Sequence, residues 1–543
     1  MDHPNLPGMR RLFHRSTLII LLLWAAITAL DFGKAFHIDD TFHLKAAQWI
    51  EQHPGKPMSG KVNWGYDPEP IHDFNQPPGF FYLVALTGHL FGYTEGPMHL
   101  MRSLFTLLAL FGFHRLARVR APRHALWLTA LFALCPAFMV NQGLMTDVPL
   151  LAMHLLFFNL LLVPGPMNAG PRYALAGLAL SGAMLIKYTS VPLLLVFPLV
   201  LALKREWRWL PMTLIPVVFL AGWAAWNLHE FGSIHLLDRR AGDPSIRGIF
   251  VRSLALLTAL GAVSPFAPAF LRAVIPGAVR WLLPAWITAL VLSLVFVAGS
   301  YAGLIAEQHS DQVLRILFTL NGLLLVLYCA RFLPRSLRAS STDTWAVVLW
   351  VLGLATFLAL FSPMMATRHV LLLVPPLLLL IASALDAARL GEKVLAVAST
   401  AALGLLLTVS DKSYADFYRE NAPRIAEEMK ARTEGTVWSL GHWGWQWYAE
   451  QAGMVTYART RSDVAVGDIL IVPQDHDVQL LAKGLTKEAI ASWDEAPGPA
   501  TFFCVEQFAG MYTSSYGKLP WSLSRSHHKT ILAYRVTGVH GGR

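Results

Sequence analysis

The chain has 543 residues, of which 55% are hydrophobic and only 14% are charged, and its mean hydropathy is +0.46. This balance excludes an ordinary soluble globular protein and favours a chain that folds in a lipid bilayer. The +10 net charge does not predict nucleic-acid binding, because the basic residues lie between long apolar segments and not as a stripe on a polar domain. Three cysteines predict neither a disulfide framework nor a zinc cluster.

The charges are distributed unevenly along the chain. Residues 411–543 hold 14 basic and 15 acidic residues, which leaves 30 basic and 19 acidic residues in 1–410. The positive charge therefore lies wholly in the apolar part, as expected for the cytoplasmic loops of a membrane protein. We expect a membrane domain at 1–410 and a small extracytoplasmic domain at 411–543.

The first apolar stretch, Thr17–Leu30, follows three arginines and is as short as the core of a signal peptide. No convincing small-residue cleavage site follows it, so we expect an anchored first helix rather than a cleaved one. The helix can continue to Phe36 if Asp31 and Lys34, three residues apart, pair near the interface.

Further apolar segments that could cross a bilayer follow along the membrane domain, although several are short for a span of about 20 residues. They lie at about 98–113, 125–140, 148–163, 173–189, 190–203, 209–228, 250–271, 281–305, 312–330, 344–362, 369–385 and 393–410. The predicted fold class is an all-α polytopic membrane protein with about 11–13 transmembrane helices. From a cytoplasmic N-terminus, the arginine-rich connections fall inside and 411–543 falls outside, in a bacterial inner membrane.

The C-terminal part changes in composition and predicts a small α/β domain. A helix at 415–432 is expected, with strands at Thr436–Leu440, Asp468–Pro473, Thr501–Val505 and Lys529–Val536. The aromatic run Gly441–Tyr448 could stack a sugar, but a core or membrane-interface position is favoured.

Acidic residues concentrate in the first outside stretch, 37–97. Eight of the 19 acidic residues of 1–410 lie between Asp31 and Glu95. The stretch begins with the adjacent carboxylates Asp39 and Asp40, either of which could act as a general base if held in a partly dry site. The alternative is that they cap the helix that runs through Trp49, and both roles are compatible.

Other candidates occur along the same outside face. His72 and Asn75 are candidate substrate contacts, while the prolines that follow them favour a structural turn. Asp147 lies at the outside end of two apolar segments, where it could cap the next helix or serve as a functional carboxylate. Lys187 and Arg368 could snorkel to the interface or, facing inward together, hold a phosphate.

These residues carry a resemblance to the GT-C glycosyltransferases, especially the family 39 protein O-mannosyltransferases and the bacterial lipid A aminoarabinose transferases. The resemblance runs through most of 1–410 and depends on the order of several short motifs. They are Asp39-Asp40, Asn75-Gln76-Pro77-Pro78-Gly79, Thr146-Asp147, Lys187-Tyr188-Thr189 and Arg368 before a proline-containing apolar helix.

The resemblance implies transfer of a sugar from a polyprenyl-phosphate donor to an acceptor hydroxyl of a lipid, glycan or protein. It makes Asp39 or Asp40 the base, Asp147 a second-site carboxylate, and Lys187 and Arg368 the ligands of the donor phosphate. Tyr188 joins the candidate substrate contacts. The family usually has Asp-Glu where this chain has Asp39-Asp40, so the base stays open between the two.

One base and an in-line attack would invert the anomeric configuration. No cofactor is expected beyond a divalent metal, which carboxylates and histidines could bind only if they converge. The alternative functions are a transporter or flippase for a lipid-linked substrate and a scaffold for envelope partners. Charges gathered at one face, without internal repeats, favour the enzyme.

Overall fold

The computed structural model describes residues 7–74, 76–239, 241–338, 341–474, 478–495, 511–512, 519–523 and 529–540. Within these residues, six helices are long and apolar enough to cross a membrane, or up to seven if the bent pair 246–262 and 267–274 is one span. The predicted class, a mostly helical polytopic protein with a small C-terminal sheet, is confirmed.

The helices alternate between long apolar elements and short connecting ones. They are α1 Pro7–Asp31, α2 Asp40–Gln52, α3 Ile71–Phe74, α4 Gly79–Phe91, α5 Glu95–Arg120, α6 Ala125–Ala133, α7 Pro136–Val140, α8 Asp147–Leu162, α9 Ala169–Ile186, α10 Leu193–Leu203, α11 Leu214–Phe231, α12 His235–Asp238, α13 Ile246–Ala262, α14 Leu271–Val274, α15 Val279–Tyr301, α16 Glu307–Arg338, α17 Thr342–Phe361, α18 Thr367–Leu371, α19 Val374–Leu380, α20 Ala384–Ala387, α21 Leu390–Lys430 and α22 Trp443–Gln451. Short 3₁₀ turns occupy Tyr188–Ser190, Trp207–Thr213, Ala267–Phe270 and Pro276–Ala278.

Several apolar segments of the sequence form helices too short to meet the length of a span. Gly79–Phe91, Asp147–Leu162 and Tyr188–Leu203 are apolar helical stretches of this kind. The segment 125–140 is interrupted because Pro136 stops α6 at Ala133 and restarts the chain as α7. Counting apolar segments therefore gives more spans than the described helices provide.

The stretch 37–97, which the sequence places outside, is folded rather than an extended loop. It contains α2, the antiparallel pair β1 Lys61–Asn63 and β2 Pro68–Pro70, then α3 and α4. Helix α2 packs against α4 and buries Phe42, Ala46 and Ile50, which recur every four residues along one helix face. This packing fixes the start of α2, where the predicted base lies.

Helix α21 is continuous through residue 410, where the composition changes. Its 41 residues correspond to a length of about 60 Å at 1.5 Å per residue, so it extends well beyond a hydrocarbon core of about 30 Å. The predicted helix at 415–432 is the polar end of this element. The domain limit at 410/411 stays a prediction.

The C-terminal part contains a mixed sheet with the strand order β4-β3-β5-β7-β6 among the described residues. The strands are β3 Val437–Ser439, β4 Val455–Thr456, β5 Ile469–Pro473, β6 Leu485–Asp494 and β7 Thr530–Val539. Strand β3 pairs in parallel with β4 and β5, whereas β7 pairs antiparallel with β5 and β6. Three predicted strands correspond to β3, β5 and β7, and Thr501–Val505 lies outside the described residues.

The aromatic run of the C-terminal part forms α22 and is buried against the linker between α1 and α2. Trp445 and Trp447 are buried, and Tyr448 Oη accepts a hydrogen bond from the Phe36 amide at 2.7 Å. Gly444 lies so close to the Phe36 carbonyl that a Cβ would clash with it. The core position favoured for this run is therefore the one it occupies.

Candidate functional site

Asp39 and Arg368 form an ion pair at the start of two helices. Asp39 immediately precedes α2, and Arg368 is the second residue of α18. Arg368 Nη1 donates a hydrogen bond to Asp39 Oδ2 at 2.8 Å. The Asp39 side chain is 21% exposed and that of Arg368 only 7%, so the carboxylate is the member of the pair that a substrate can reach.

Asp147 and Lys187 form a second pair beside the first. Asp147 begins α8, Lys187 follows the end of α9, and Lys187 Nζ donates to Asp147 Oδ1 at 2.6 Å. Both side chains are buried. The charge of Arg368 acts on both members of this pair, so the two pairs belong to one cluster. We call Asp39, Asp147, Lys187 and Arg368 the four-charge cluster.

The contacts of these side chains differ from those of the two alternatives, helix capping by the carboxylates and snorkelling by the cations. Asp39 occupies the N-cap position of α2, and Thr146 that of α8, but neither makes a side-chain capping hydrogen bond. Lys187 and Arg368 are buried and point at carboxylates instead of reaching for the interface. Their burial with opposite charges is the arrangement expected of a functional site at the end of an apolar bundle.

His43 joins α2 to the segment that precedes α8. Its Nδ1 lies 2.8 Å from the Leu144 carbonyl oxygen, and burial lowers the pKa of the imidazole below its usual value. A neutral imidazole with the proton on Nδ1 donates this hydrogen bond. The contact connects the chain near Asp39 to the chain near Asp147, which are distant in sequence.

Asp40 belongs to a separate, fully buried group of charges. Its Oδ2 accepts a hydrogen bond from the His37 amide at 3.1 Å. His37 Nε2 lies 3.0 Å from Asp411 Oδ1, and Lys34 Nζ donates to Asp411 Oδ2 at 2.7 Å. Lys34 also lies 3.3 Å from Asp31, and the pair is buried. The expected continuation of the first helix to Phe36 is wrong, because α1 ends at Asp31 and Lys34 lies after it. We call Asp31, Lys34, His37, Asp40 and Asp411 the buried network.

The electrostatics of the buried network favour an ionised Asp40 beside a protonated His37. Burial alone would raise the pKa of Asp40, but the hydrogen bonds and charge of His37 lower it below the usual value. Burial alone would lower the pKa of His37, but the charge of Asp411 helps to raise it. Asp40 is thus held by its neighbours, whereas Asp39 keeps access to solvent.

The sequence did not indicate that Asp411 and Tyr512 contribute to this part of the molecule. Asp411 lies in the middle of α21, and Tyr512 Oη lies 3.1 Å from its Oδ2. A lone carboxylate within a helix that begins as an apolar segment is a usable signal. Its partners are 374 and 377 residues away, at His37 and Lys34, and local patterns carry no information about such pairs.

The remaining candidates occupy a neighbouring group of rings. Trp223 Nε1 donates to Tyr188 Oη at 2.8 Å, and this hydroxyl lies 2.9 Å from His235 Nδ1. The His72 ring stacks on Phe231 and has its centroid 5.0 Å from that of His235. Asn75, the third candidate contact, lies outside the described residues.

No group of three or more His, Cys, Asp or Glu side chains that could hold a metal ion occurs among the described residues. The structure thus identifies no ligand set for the divalent metal that the sequence left open.

Comparison with protein families gives a match over part of the chain. Residues 75–226 match the family model described as dolichyl-phosphate-mannose-protein mannosyltransferase. The matched range contains Asp147 and Lys187 but neither Asp39 nor Arg368. The predicted resemblance to the protein O-mannosyltransferases is confirmed over this range, which is less than half of the chain. No curated protein matches the chain significantly.

Three solved structures illustrate what this chain is similar to. ArnT from Cupriavidus metallidurans bound to undecaprenyl phosphate is 14% identical, over 86% of this chain and 93% of that chain, with a TM-score of 0.39. The Archaeoglobus fulgidus oligosaccharyltransferase in complex with Zn and sulfate is 14% identical, over 82% and 62%, with a TM-score of 0.48. The arabinofuranosyltransferase AftD from Mycobacteria is 14% identical, over 97% and 40%, with a TM-score of 0.40.

Proposed function

We propose that this chain, which resembles the GT-C glycosyltransferases, transfers a sugar from a polyprenyl-phosphate donor to an acceptor hydroxyl on the extracytoplasmic side of a bacterial inner membrane. The observation that carries the proposal is the four-charge cluster, in which two cations and two carboxylates meet at the ends of helices. The family match over 75–226, which includes Asp147 and Lys187, supports it independently.

The two cations suit the phosphate of the donor. Arg368 and Lys187 are both buried and each is now neutralised by a carboxylate. Negative charge grows on the phosphate as the bond between the anomeric carbon and the phosphate oxygen breaks. Guanidinium and ammonium groups held in a site of low water content stabilise that charge. Since the leaving group is a phosphodiester anion, no strong general acid is needed.

Asp39 is the proposed base. Its Oδ2 is held by Arg368, and its Oδ1 has no hydrogen-bond partner among the described residues. The acceptor oxygen attacks the anomeric carbon as its proton passes to Oδ1, and the polyprenyl phosphate leaves on the opposite side of the sugar with inversion. Asp40 is unsuited to this step because it is fully buried and bound to His37.

The other residues have supporting roles in the proposal. Asp147 holds Lys187 in place through the 2.6 Å hydrogen bond and is the second-site carboxylate. Tyr188 immediately follows Lys187 in the chain, so its ring group, which includes His72, lies next to the phosphate position and can contact the sugar. Asn75 completes the proposed substrate contacts.

The experiment is transfer of radiolabelled sugar from a panel of polyprenyl-phosphate sugars to envelope extracts. Membranes with wild-type protein are compared with Asp39→Asn and Asp40→Asn membranes, and Glu69→Gln, which changes an exposed acid of the same outside stretch, is the control. Loss of a general base predicts a decrease of about 10²–10⁴-fold in Asp39→Asn at unchanged protein level.

Wild-type turnover in Asp39→Asn would contradict the base assignment while leaving the transferase intact. The absence of transfer from every donor by wild-type membranes would contradict the function. Movement of an intact donor across the membrane without transfer would favour the flippase instead.

A further inference from the structure

A cavity lies between the connection of α5 to α6 and the end of α19. Its volume is about 370 Å³, and its lining includes Arg120, Arg123, His124, Ser383 and Asp386. None of these residues belongs to the four-charge cluster or to the ring group around Tyr188. The cavity therefore requires an explanation of its own.

The cavity lies at the opposite end of α5 from the four-charge cluster. Tyr448 Oη donates to Glu95 at the first residue of α5, and His99, one turn later, is influenced by the charge of Asp40. The cavity begins at Arg120, the last residue of this 26-residue helix. At 1.5 Å per residue the two ends are about 38 Å apart, which exceeds the hydrocarbon thickness of about 30 Å.

The two arginines of the cavity have no ion-pair partner in the part of the chain that the structure describes. Among the described residues, no carboxylate lies within ion-pair distance of Arg120 or Arg123. Asp343, which attracts the Arg120 charge, lies 3.6 Å from Lys204 instead. Such unneutralised guanidinium groups beside one cavity are suited to an anion.

His124 adds a further donor site to the cavity. Its Nε2 lies 3.0 Å from Asp386 Oδ1, while its Nδ1 is buried and has no hydrogen-bond partner. Nδ1 therefore offers a hydrogen-bonding position to an anion while Asp386 holds the other nitrogen. His124 also occupies the N-cap position of the nine-residue helix α6, whose positive end faces the same region.

We propose that this cavity binds the phosphate of an anionic phospholipid in the membrane leaflet opposite the four-charge cluster. Val119, next to Arg120, is half exposed, and Leu390, four residues after Asp386, is 69% exposed, as expected of surfaces in contact with acyl chains. Leu379 and Leu380 supply an apolar wall. The positive-inside preference explains basic residues on this side, but not their convergence on one cavity with an imidazole whose Nδ1 is buried.

The test is binding of phosphatidylglycerol to the full-length protein in neutral detergent, measured by lipid titration with native mass spectrometry. Arg120→Gln/Arg123→Gln should weaken the apparent Kd about tenfold, because two charge-assisted contacts are lost. Arg123→Gln alone changes an exposed side chain, so it tests the site without endangering the fold and should weaken binding severalfold.

Arg115→Gln is the matched control, since Arg115 is exposed near the same end of α5 but does not line the cavity. Unchanged affinity in both cavity variants would overturn the proposal. Equal binding of phosphatidylcholine would overturn the role of charge. Inorganic phosphate that displaces the lipid at equal concentration would assign the cavity to free phosphate and overturn the lipid. Weakened phosphatidylglycerol binding in the cavity variants alone is the supporting result.

Discussion

The four-charge cluster and the buried network contain the same kinds of groups and meet at two adjacent residues, yet their surroundings differ. Both consist of carboxylates paired with cations at about 3 Å. Asp39 retains solvent access in the first, whereas every member of the second is at most 1% exposed. Because successive helical residues point about 100° apart, neighbours in sequence can enter different environments.

The difference shows that full burial of a charge cluster and burial with partial solvent access favour different roles. Lys34 lies between the carboxylates of Asp31 and Asp411, which leaves no route for a substrate to either. In the proposed function, Arg368 exchanges its carboxylate partner for the donor phosphate, because Asp39 remains partly hydrated. We therefore expect the first arrangement to contribute to stability and the second to the proposed chemistry.

The largest expected effect is on stability, from Lys34→Met. The substitution leaves the carboxylates of Asp31 and Asp411 buried without their cation, and breaking a buried pair in this way costs about 3–5 kcal/mol. This loss is measured as the change in the free energy of unfolding, obtained by denaturant titration in detergent. Arg368→Met is the comparison, because the Asp39 carboxylate it leaves behind can be hydrated and the loss should be about 1–3 kcal/mol.

Equal losses in Lys34→Met and Arg368→Met would contradict the distinction between the two regions. We expect the double variant Lys34→Met/Asp411→Asn to lose no more stability than Lys34→Met alone, because Lys34 and Asp411 act as one unit. Additive losses in the double variant would mean that the two side chains contribute separately.

The next largest effect is on use of the sugar donor, and we expect it only from substitutions in the four-charge cluster. Lys187→Ala and Arg368→Ala should each lower kcat/KM for the polyprenyl-phosphate sugar about 10²-fold, since each removes a cation from the phosphate. Steady-state rates at varied donor concentration measure this change. Lys45→Ala, which removes a pair with Glu450 elsewhere on α2, is the control and should leave the donor dependence unchanged. Wild-type donor dependence in both cluster variants would remove the phosphate role.

A smaller effect is the pH dependence of the buried network. The folded-state pKa of His37 is raised, since the charge of Asp411 and the hydrogen bonds to Asp40 and Asp411 outweigh burial and the charge of Lys34. A raised pKa adds stability that is complete below the unfolded value of about 6.5 and is lost as pH rises through the folded value. The thermal midpoint should therefore fall from neutral to alkaline pH in wild type, and fall less in His37→Gln.

Tyr512 and Tyr414 also face His37, from the C-terminal segment and from α21. Burial raises the pKa of Tyr512 well above its usual value, so its own ionisation does not enter the neutral range. An equal alkaline loss of stability in wild type and His37→Gln would assign the pH dependence to other groups.

Much of the fold followed from the sequence because hydropathy and charge asymmetry are local properties. The segments near 98–113, 312–330 and 344–362 correspond to α5, α16 and α17. What the sequence could not settle is where a proline or a short turn divides an apolar run, as at Pro136. The continuity of α21 through residue 410 was also hidden, because a helix can change from apolar to polar without a break.

The site residues could be predicted where they are charged side chains within or beside apolar segments of the sequence. Asp39, Asp147, Lys187 and Arg368 met that criterion, and the structure brings the four together. The sequence could not decide which of Asp39 and Asp40 is the proposed base. That decision depends on contacts such as the one between His37 and Asp411, which are 374 residues apart. Their roles in catalysis stay a proposal until the variants are tested.

The smallest expected effect concerns the space around Asp40. A Cβ at Gly143 would lie 3.2 Å from Asp40 Oδ2 and 3.3 Å from Oδ1, which is slightly too close. Gly143→Ala should therefore cost about 1 kcal/mol of unfolding free energy and leave donor binding unchanged, since Asp39 is not touched. Gly182→Ala, whose Cβ would meet only Met153 Sδ at 3.8 Å, is the control and should be neutral or stabilising. A loss of donor affinity in Gly143→Ala would show that displacement of Asp40 reaches Asp39, so the two regions would then be coupled instead of separate.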